Sequence, residues 1–224
     1  MKTVAISDLE ETITACRRCP RLVAWQEQVA REKRRAYRDQ EYWGKPVPGF
    51  GDPSARLLIV GLAPGAHGSN RTGRMFTGDA SGDFLYPALY RAGFANQPRA
   101  SHREDGLTLN DCFISAVGRC APPDNKPTRD EIANCLPYLK QEMDLLSNLQ
   151  GIVALGSIAF NETLSLLGLK STGYAFGHGY FYQPGGGLPW ILTSYHPSRQ
   201  NTQTGRLTVD MFDTIWKTVQ EKLR

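Results

Sequence analysis

The sequence contains no apolar run near the ~20 residues that a membrane-spanning helix needs, so no transmembrane protein is predicted. Its first sixteen residues include Asp8, Glu10 and Glu11 where an export signal would have an unbroken apolar core. We therefore expect a cytoplasmic protein with no membrane partner. The sequence also lacks internal repeats and low-complexity segments, which excludes a repeat array and a compositionally disordered chain.

Neither charge sign dominates, since 26 Lys and Arg side chains stand against 22 Asp and Glu side chains, giving a net charge of +4. This mild excess is compatible with a nucleic-acid partner but does not indicate one by itself. Two familiar phosphate-binding patterns are missing as well. There is no GxxxxGKS/T, and no GxGxxG follows directly after a predicted strand. The sequence therefore predicts neither standard phosphate-binding loop.

Cysteine is scarce, with five residues among 224. In a cytosolic chain this number indicates metal binding or free thiols before disulfides. Cys16 and Cys19 form a CxxC pair, and fourteen residues separate Cys120 from Cys135. Four thiolates suit either a tetrahedral zinc ion or an iron–sulfur cluster, and the spacing alone leaves both open. Cys112 begins a predicted buried strand, where it is expected to behave as a small hydrophobic residue.

Residues 56–93 have the pattern of a strand, a glycine-rich loop and a helix. The apolar run at residues 57–60 ends at Gly61, as is typical of a buried parallel strand. The glycines of the loop allow the backbone to approach a ligand closely. Helical spacing begins at Asp83, which is therefore the expected N-cap, and Gly93 is placed to end the helix. This order brings ligand groups to the carboxyl edge of a sheet.

Strand and helix patterns alternate along the rest of the chain. Capping boxes predict helix starts at Ser7 with Glu10 and at Thr128 with Glu131. The further predicted strands are residues 112–117, 152–155 and 190–193, and the further predicted helices are residues 20–39, 157–167 and 208–223. The alternation predicts an α/β fold, a three-layer α/β/α sandwich around a short, mainly parallel four-stranded sheet. Length is sufficient for a single domain over residues 1–224, with residues 1–50 as an N-terminal helical segment.

A basic run, REKRRAYR at residues 31–38, lies within the second predicted helix. Such a run is compatible with a solvated helix face. It is equally compatible with a surface that contacts DNA phosphates. The sequence does not choose between these alternatives.

Four motifs occur in a recognisable order: GLAPGAH at residues 61–67, RTGRMFTGD at 71–79, APPDNKP at 121–127 and HPS at 196–198. Together with the cysteine pattern they resemble the uracil-DNA glycosylases, specifically the family 5 (type b) branch. The resemblance covers nearly the whole chain. It implies the same sandwich fold and a monofunctional DNA repair glycosylase that flips a base out of the helix. Such an enzyme hydrolyses the N-glycosidic bond of uracil, and of other deaminated bases such as hypoxanthine and xanthine, and leaves an abasic site.

The resemblance also implies roles for individual residues. Cys16, Cys19, Cys120 and Cys135 would hold a 4Fe–4S cluster. Phe76 would stack on the flipped base, His196 would stabilise the departing base anion, and Asp79 would orient water. Apart from the resemblance, backbone amides at Gly65 and Ala66 are candidates for the same pocket, because amides approach ligands best where side chains are small, and Asn125 is a weaker candidate. An aspartate at the position of Asp79 is also a common helix cap, and an asparagine like Asn125 is common in turns.

Two departures and one loop refine this expectation. Leu62 is apolar where other branches have an acid, and Ala116 stands where they have an asparagine that reads the uracil edge. Base selection should therefore be looser. The loop after residue 196 resembles the one that enters DNA at the flipped position, with Arg199, Gln200 and Arg206 as DNA-binding candidates.

The expected partner is DNA that contains uracil or another deaminated base, double-stranded and also single-stranded, bound by a monomer at the nucleoid of a prokaryotic-type cell. Two other functions remain open at this stage. One is a non-catalytic iron–sulfur protein that binds DNA and senses damage or redox state. The other is a zinc-stabilised hydrolase of free nucleotides.

Overall fold

A mainly parallel sheet forms the centre of the computed structural model, which describes residues 5–224. Within these residues the sheet has the order β1-β3-β2-β4-β6-β5. Its strands are β1 (Phe50–Gly51), β2 (Leu57–Gly61), β3 (Cys112–Ala116), β4 (Gly151–Leu155), β5 (Phe181–Tyr182) and β6 (Trp190–Ser194). The four five-residue strands are parallel, as predicted, and the two-residue strands β1 and β5 pair antiparallel at the edges. The fold class is confirmed, and the two edge strands extend the predicted four-stranded sheet.

Eight α-helices accompany the sheet in the described part of the chain, and none of them is long and apolar enough to cross a membrane. They are α1 (Ile6–Thr14), α2 (Pro20–Glu32), α3 (Ser69–Thr72), α4 (Ala80–Arg91), α5 (Arg129–Leu145), α6 (Ser157–Leu166), α7 (Arg199–Gln203) and α8 (Val209–Lys222). Short 3-10 turns occur at Arg35–Tyr37, Pro123–Asn125 and Ser171–Gly173.

Both faces of the sheet are buried, because successive strand side chains point to opposite sides. In β2, Leu57 and Ile59 join one core with the apolar faces of α4 and α8. Leu58 and Val60 join a second core with α5 and α6. The continuous apolar strands thus belong to the middle of three layers, as buried parallel strands require.

The N-terminal helices differ from the predicted ones at their ends. Helix α1 begins at Ile6 rather than at Ser7, and the Ala5 amide donates to the Asp8 carboxylate at 3.2 Å. The Ser7 capping box was therefore wrong. Helix α2 ends at Glu32 because Lys33 adopts a φ of 52°, which a helix does not tolerate. Prediction of one helix to residue 39 failed for this reason. The capping box at Thr128 is confirmed.

Candidate functional site

A cleft of about 810 Å³ opens beside the carboxyl ends of β2, β3 and β6. This is the edge at which open α/β sheets bind ligands. The cleft is lined by eight of the residues singled out in the sequence: Gly65, Ala66, Phe76, Asp79, Asn125, His196, Arg199 and Gln200. Arg206 is not among its lining residues, and its guanidinium carbon lies 4.6 Å from the centre of the Tyr195 ring. Residues far apart in the chain therefore meet at one sheet edge.

Phe76 is held in an unusual conformation at the floor of the cleft. Its φ is 52°, a left-handed value that is uncommon for a bulky residue. Two glycines make room for it: a Cβ on Gly61 would lie 2.8 Å from the ring, and one on Gly82 would lie 1.7 Å from the Phe76 carbonyl oxygen. The preceding Met75 carbonyl accepts a 2.7 Å hydrogen bond from the Tyr86 hydroxyl. Such locally strained backbone persists where the surroundings over-determine it, and it clusters at functional sites.

His196 follows β6 and packs against Phe76, with ring centroids 5.8 Å apart and planes inclined by 29°. The backbone of the HPS turn is secured because the His196 carbonyl accepts from the Ser198 amide at 2.7 Å and from Asn201 Nδ2 at 2.8 Å. Within residues 5–224 neither ring nitrogen has a hydrogen-bond partner. Burial lowers the pKa of His196 to about 4, so the imidazole is neutral near pH 7. A neutral ring has one N–H to donate into the cleft.

Asp79 is both a helix cap and a cleft residue. Its Oδ1 accepts from the amides of Ser81 at 3.0 Å and Gly82 at 3.1 Å, so α4 begins immediately after it. Its Oδ2 faces Gly65 and Gly68, where a Cβ would lie only 3.0 Å and 1.9 Å away. Burial raises the pKa of Asp79, and the two capping amides oppose that shift. One carboxylate oxygen is therefore engaged in the cap while the other remains available.

The expected cap at Asp83 was wrong. Asp83 is exposed within the first turn of α4, and in the described residues its side chain accepts no hydrogen bond. Sequence spacing favoured Asp83 because Gly82 looks like the residue before a helix. In the structure Gly82 is already helical, and its missing side chain permits the contact with Phe76.

Sequence reasoning missed several cleft residues, among them Arg34, Tyr37 and His67. Arg34 and Tyr37 belong to the basic run whose role was left open, and His67 lies in the GLAPGAH motif. Local sequence could not place them, because the turn at Lys33 directs the segment towards the cleft. Apolar Leu62 and Ala116 also line the cleft, so neither offers a hydrogen bond to a base.

The four cysteines of the predicted cluster line a second, smaller cavity together. Two of their sulfurs already accept hydrogen bonds, since the Arg119 amide donates to Cys135 Sγ at 3.2 Å and Asn134 Nδ2 donates to Cys19 Sγ at 3.8 Å. Burial raises the pKa of the Cys135 thiol to about 11, and it raises the pKa of Cys120 as well. Both pKa shifts apply to free thiols. A bound metal ion or cluster would deprotonate them.

A partly exposed ion pair joins the two halves of the cysteine site, with Glu131 buried and Arg21 exposed. Arg21, just after Cys19, makes a bidentate contact with Glu131 at 2.8 and 2.7 Å, and Glu131 also caps the helix that carries Cys135. This contact ties the start of α2, next to Cys19, to α5, which carries Cys135. Cys112 is buried elsewhere, with its Sγ 3.7 Å from the Phe94 carbonyl, and belongs to the main core as expected.

Comparison with known proteins places this geometry in context. The family model of the uracil DNA glycosylase superfamily matches residues 48–220. A protein named type-5 uracil-DNA glycosylase from Thermus thermophilus is 54% identical over 202 residues, covering 90% of this chain and 91% of that protein. A protein of the same name from Mycobacterium tuberculosis is 53% identical over 215 residues, covering 95% and 80%. A third, from Pyrobaculum aerophilum, is 44% identical over 203 residues, covering 91% and 87%.

Proposed function

Because this chain belongs to the uracil-DNA glycosylase superfamily, we propose that it is a monofunctional DNA repair enzyme that removes uracil from DNA. The observation that carries the proposal is the grouping of Phe76, His196 and Asp79 in one cleft at the sheet edge. These are an aromatic face, a neutral hydrogen-bond donor and a carboxylate. Excision of a base needs each of these groups.

The reaction breaks the bond between the base nitrogen and C1′ of deoxyribose. The bonding electrons leave with the base, and the sugar develops oxocarbenium character, as in other glycoside hydrolyses. We assign to Phe76 the stacking of the flipped base and to His196 the hydrogen bond to the oxygen that gains negative charge. The neutral state of His196 suits this role because the ring keeps an N–H without adding a proton to the base.

We assign to Asp79 the orientation of the water that attacks C1′. Its Oδ2 is free of the cap and packs against Gly65 and Gly68, whose lack of side chains admits the carboxylate to this wall of the cleft. A negative charge there also favours the cationic sugar. The water oxygen joins C1′, the proton that the water loses passes to solvent, the released base anion takes up a proton from solvent, and an abasic site remains. The amides of Gly65 and Ala66 and the side chain of Asn125 are assigned to binding of the same nucleotide.

We propose a substrate range wider than uracil. The cleft has Ala116 where a base-reading amide would stand in related branches, and Leu62 beside it is also apolar. A site without a discriminating hydrogen bond imposes no large penalty for an unpaired polar group on a wrong ligand. Hypoxanthine and xanthine are therefore included as substrates, in double-stranded and single-stranded DNA. Arg199, Gln200 and Arg206 supply the DNA contacts.

We propose a 4Fe–4S cluster held by Cys16, Cys19, Cys120 and Cys135, and these residues fit that group. They share one cavity, and two of the sulfurs accept N–H groups, as cluster thiolates do. In residues 5–224 no three His, Cys, Asp or Glu side chains are already grouped to hold a metal ion, so the shared cavity and the two N–H donors are what support the proposal. When bound, the cluster would supply a covalent link between the N-terminal segment and the body of the protein.

The proposal includes a single domain over residues 1–224 that acts as a monomer. Because its substrate is chromosomal DNA, the proposed place of action is the nucleoid in the cytoplasm. Both statements are secondary to the activity and can be tested separately, by light scattering and by cell fractionation.

The decisive experiment uses oligonucleotide duplexes that carry one uracil, hypoxanthine or xanthine, incubated with enzyme and then with or without alkali. We expect strand cleavage at the modified base after alkali and none without it, since a monofunctional enzyme leaves an intact abasic strand. Cleavage of hypoxanthine or xanthine DNA should accompany cleavage of uracil DNA, whereas strict uracil specificity under enzyme excess would contradict the wider range. Binding without cleavage would instead favour a non-catalytic damage sensor.

A further inference from the structure

Residues 34–37 contribute to the cleft, although the roles assigned above do not use them. Arg34 and Tyr37 both line it. The left-handed turn at Lys33 ends α2 and brings this segment over the cleft. Tyr42 secures its position. The Tyr42 hydroxyl accepts a 3.3 Å hydrogen bond from the Arg34 amide and lies 3.1 Å from Nδ1 of His67. The segment is therefore attached to the GLAPGAH loop that follows β2.

Tyr37 rests on a fixed support. The guanidinium carbon of Arg71 lies 4.0 Å from the centre of the Tyr37 ring. Arg71 is itself buried, with Nε donating to the His67 carbonyl and Nη2 to the Gly78 carbonyl, each at 2.8 Å. A ring backed by an immobile cation loses little conformational freedom when a base stacks on it. Aromatic rings of this kind are the usual stacking surfaces for bases of single-stranded or extruded DNA.

Arg34 provides positive charge without a compensating acid. It is exposed, and no carboxylate lies within ion-pair distance of it in the part of the chain that the structure describes. Arg34 also lies near His67. Burial is the largest cause of the lowered pKa of His67, and the positive charge of Arg34 lowers it further. An unpaired guanidinium at the edge of a cleft is suited to a phosphate.

The cleft is also larger than one base requires. Its volume of about 810 Å³ lies towards the upper end of the ~300–1,000 Å³ range that accommodates drug-sized ligands. With Phe76 and His196 assigned to the flipped base, the wall at Arg34 and Tyr37 has room for a neighbouring part of the strand.

We propose that Arg34 and Tyr37 bind the DNA strand next to the flipped nucleotide, with Tyr37 stacking on an adjacent base or sugar and Arg34 binding the adjoining phosphate. This inference rests on the proposed function, since it concerns the same cleft. Arg34 would then be a second positively charged side chain of the cleft, besides Arg199, that contacts the strand containing the damaged base.

The test measures single-turnover excision of uracil while enzyme concentration is varied, which separates half-saturation from the maximal rate. Arg34→Gln should raise the half-saturation concentration severalfold and reduce the slope of log affinity against log salt by about 1, with an unchanged maximal rate. Arg35→Gln is the matched control, because Arg35 belongs to the same turn, is exposed and does not line the cleft. Tyr37→Ala should raise the half-saturation concentration roughly tenfold, and Tyr37→Phe should have the half-saturation concentration of the wild type.

A substrate series identifies the phosphate directly. Neutral methylphosphonate groups replace, one at a time, the three phosphates on each side of uracil. One position should weaken binding by the wild type and by Arg35→Gln but leave Arg34→Gln unaffected. A purely structural role for Arg34 would not produce this coupling.

The inference is overturned if Arg34→Gln and Arg35→Gln have the same affinity and salt slope, or if no methylphosphonate position distinguishes them. Wild-type affinity in a folded Tyr37→Ala variant would also contradict it, with folding checked by thermal unfolding. These results are separate from failure of the proposed function. In that case the wild type itself would release no uracil.

Discussion

The double role of Asp79 leads to a substitution that separates stability from catalysis. In Asp79→Asn the side chain keeps an oxygen for the amides of Ser81 and Gly82 but loses its charge. Asparagine and aspartate are similarly good N-caps. The lost interaction between the charge and the helix dipole costs about 0.3–1 kcal/mol. Burial raises the pKa of Asp79, which means that burying its charge is unfavourable in the folded protein. Removing the charge therefore offsets part of this loss of stability. We therefore expect the free energy of unfolding to change by less than about 1 kcal/mol.

Excision should respond much more strongly than stability. In its proposed role the carboxylate acts on the water and on the cationic sugar, and both interactions exist mainly in the transition state. The maximal single-turnover rate of Asp79→Asn should fall by more than about tenfold while half-saturation by uracil DNA changes little. Asp79→Ala removes the cap as well, and should lose a further ~1 kcal/mol of stability, or about 2–4 °C in Tm for a chain of this size.

Asp83→Asn is the internal control for both measurements. Asp83 lies four residues further along the chain and also lines the cleft, but it is exposed, and its side chain accepts no hydrogen bond within the described residues. The excision rate of Asp83→Asn should equal that of the wild type, and its free energy of unfolding should differ by less than about 0.5 kcal/mol. Quench-flow or manual single-turnover assays with enzyme in excess, alongside urea unfolding, provide the data. Wild-type excision by a folded Asp79→Asn variant would refute the assignment of Asp79, even if the protein is a glycosylase.

Three other predictions follow from the site and the cysteine cavity. His196→Ala should lower the maximal excision rate by about a hundred- to thousandfold, the usual effect of ~3–4 kcal/mol from a hydrogen bond aimed at developing charge, and a loss under tenfold would contradict its role. Because the pKa of His196 falls from 6.5 to about 4 on folding, the unfolded chain binds this proton first as pH decreases. The wild type should therefore lose up to ~3 kcal/mol of stability relative to His196→Gln between pH 6.5 and 4, measured by urea unfolding, and a pH-independent difference would refute this. The protein isolated without oxygen should be brown, and Cys120→Ser or Cys135→Ser should be colourless or insoluble; a colourless wild type with one equivalent of zinc would exclude the cluster.

The sequence alone determined the central features of this fold. Apolar runs that end at glycine or at polar residues identified all four long strands, because a buried parallel strand must be apolar on both faces. The capping box at Thr128 was also readable, since both of its hydrogen bonds lie within four residues. The motifs at residues 61–79 and 196–198 pointed to the right family, and the cysteine pattern to one shared site.

Tertiary structure determined the features for which local sequence patterns are absent or allow two outcomes. Two-residue strands such as β1 have no periodicity to detect and form only because β3 offers a free edge. Asp79 and Asp83 are equally good caps by residue type. The choice of Asp79 depends on Gly82 packing against the Phe76 backbone, a contact that helical spacing does not encode.

The cleft itself is the clearest case of a feature that no single segment contains. His196 meets Phe76 because β6 and β2 end at the same edge of the sheet, although more than a hundred residues separate them in the chain. Arg34 and Tyr37 reach that edge through one left-handed residue, Lys33. Local sequence specifies the conformational preference of each segment, whereas contacts between distant segments determine which side chains share a site, since those contacts form only when the layers pack.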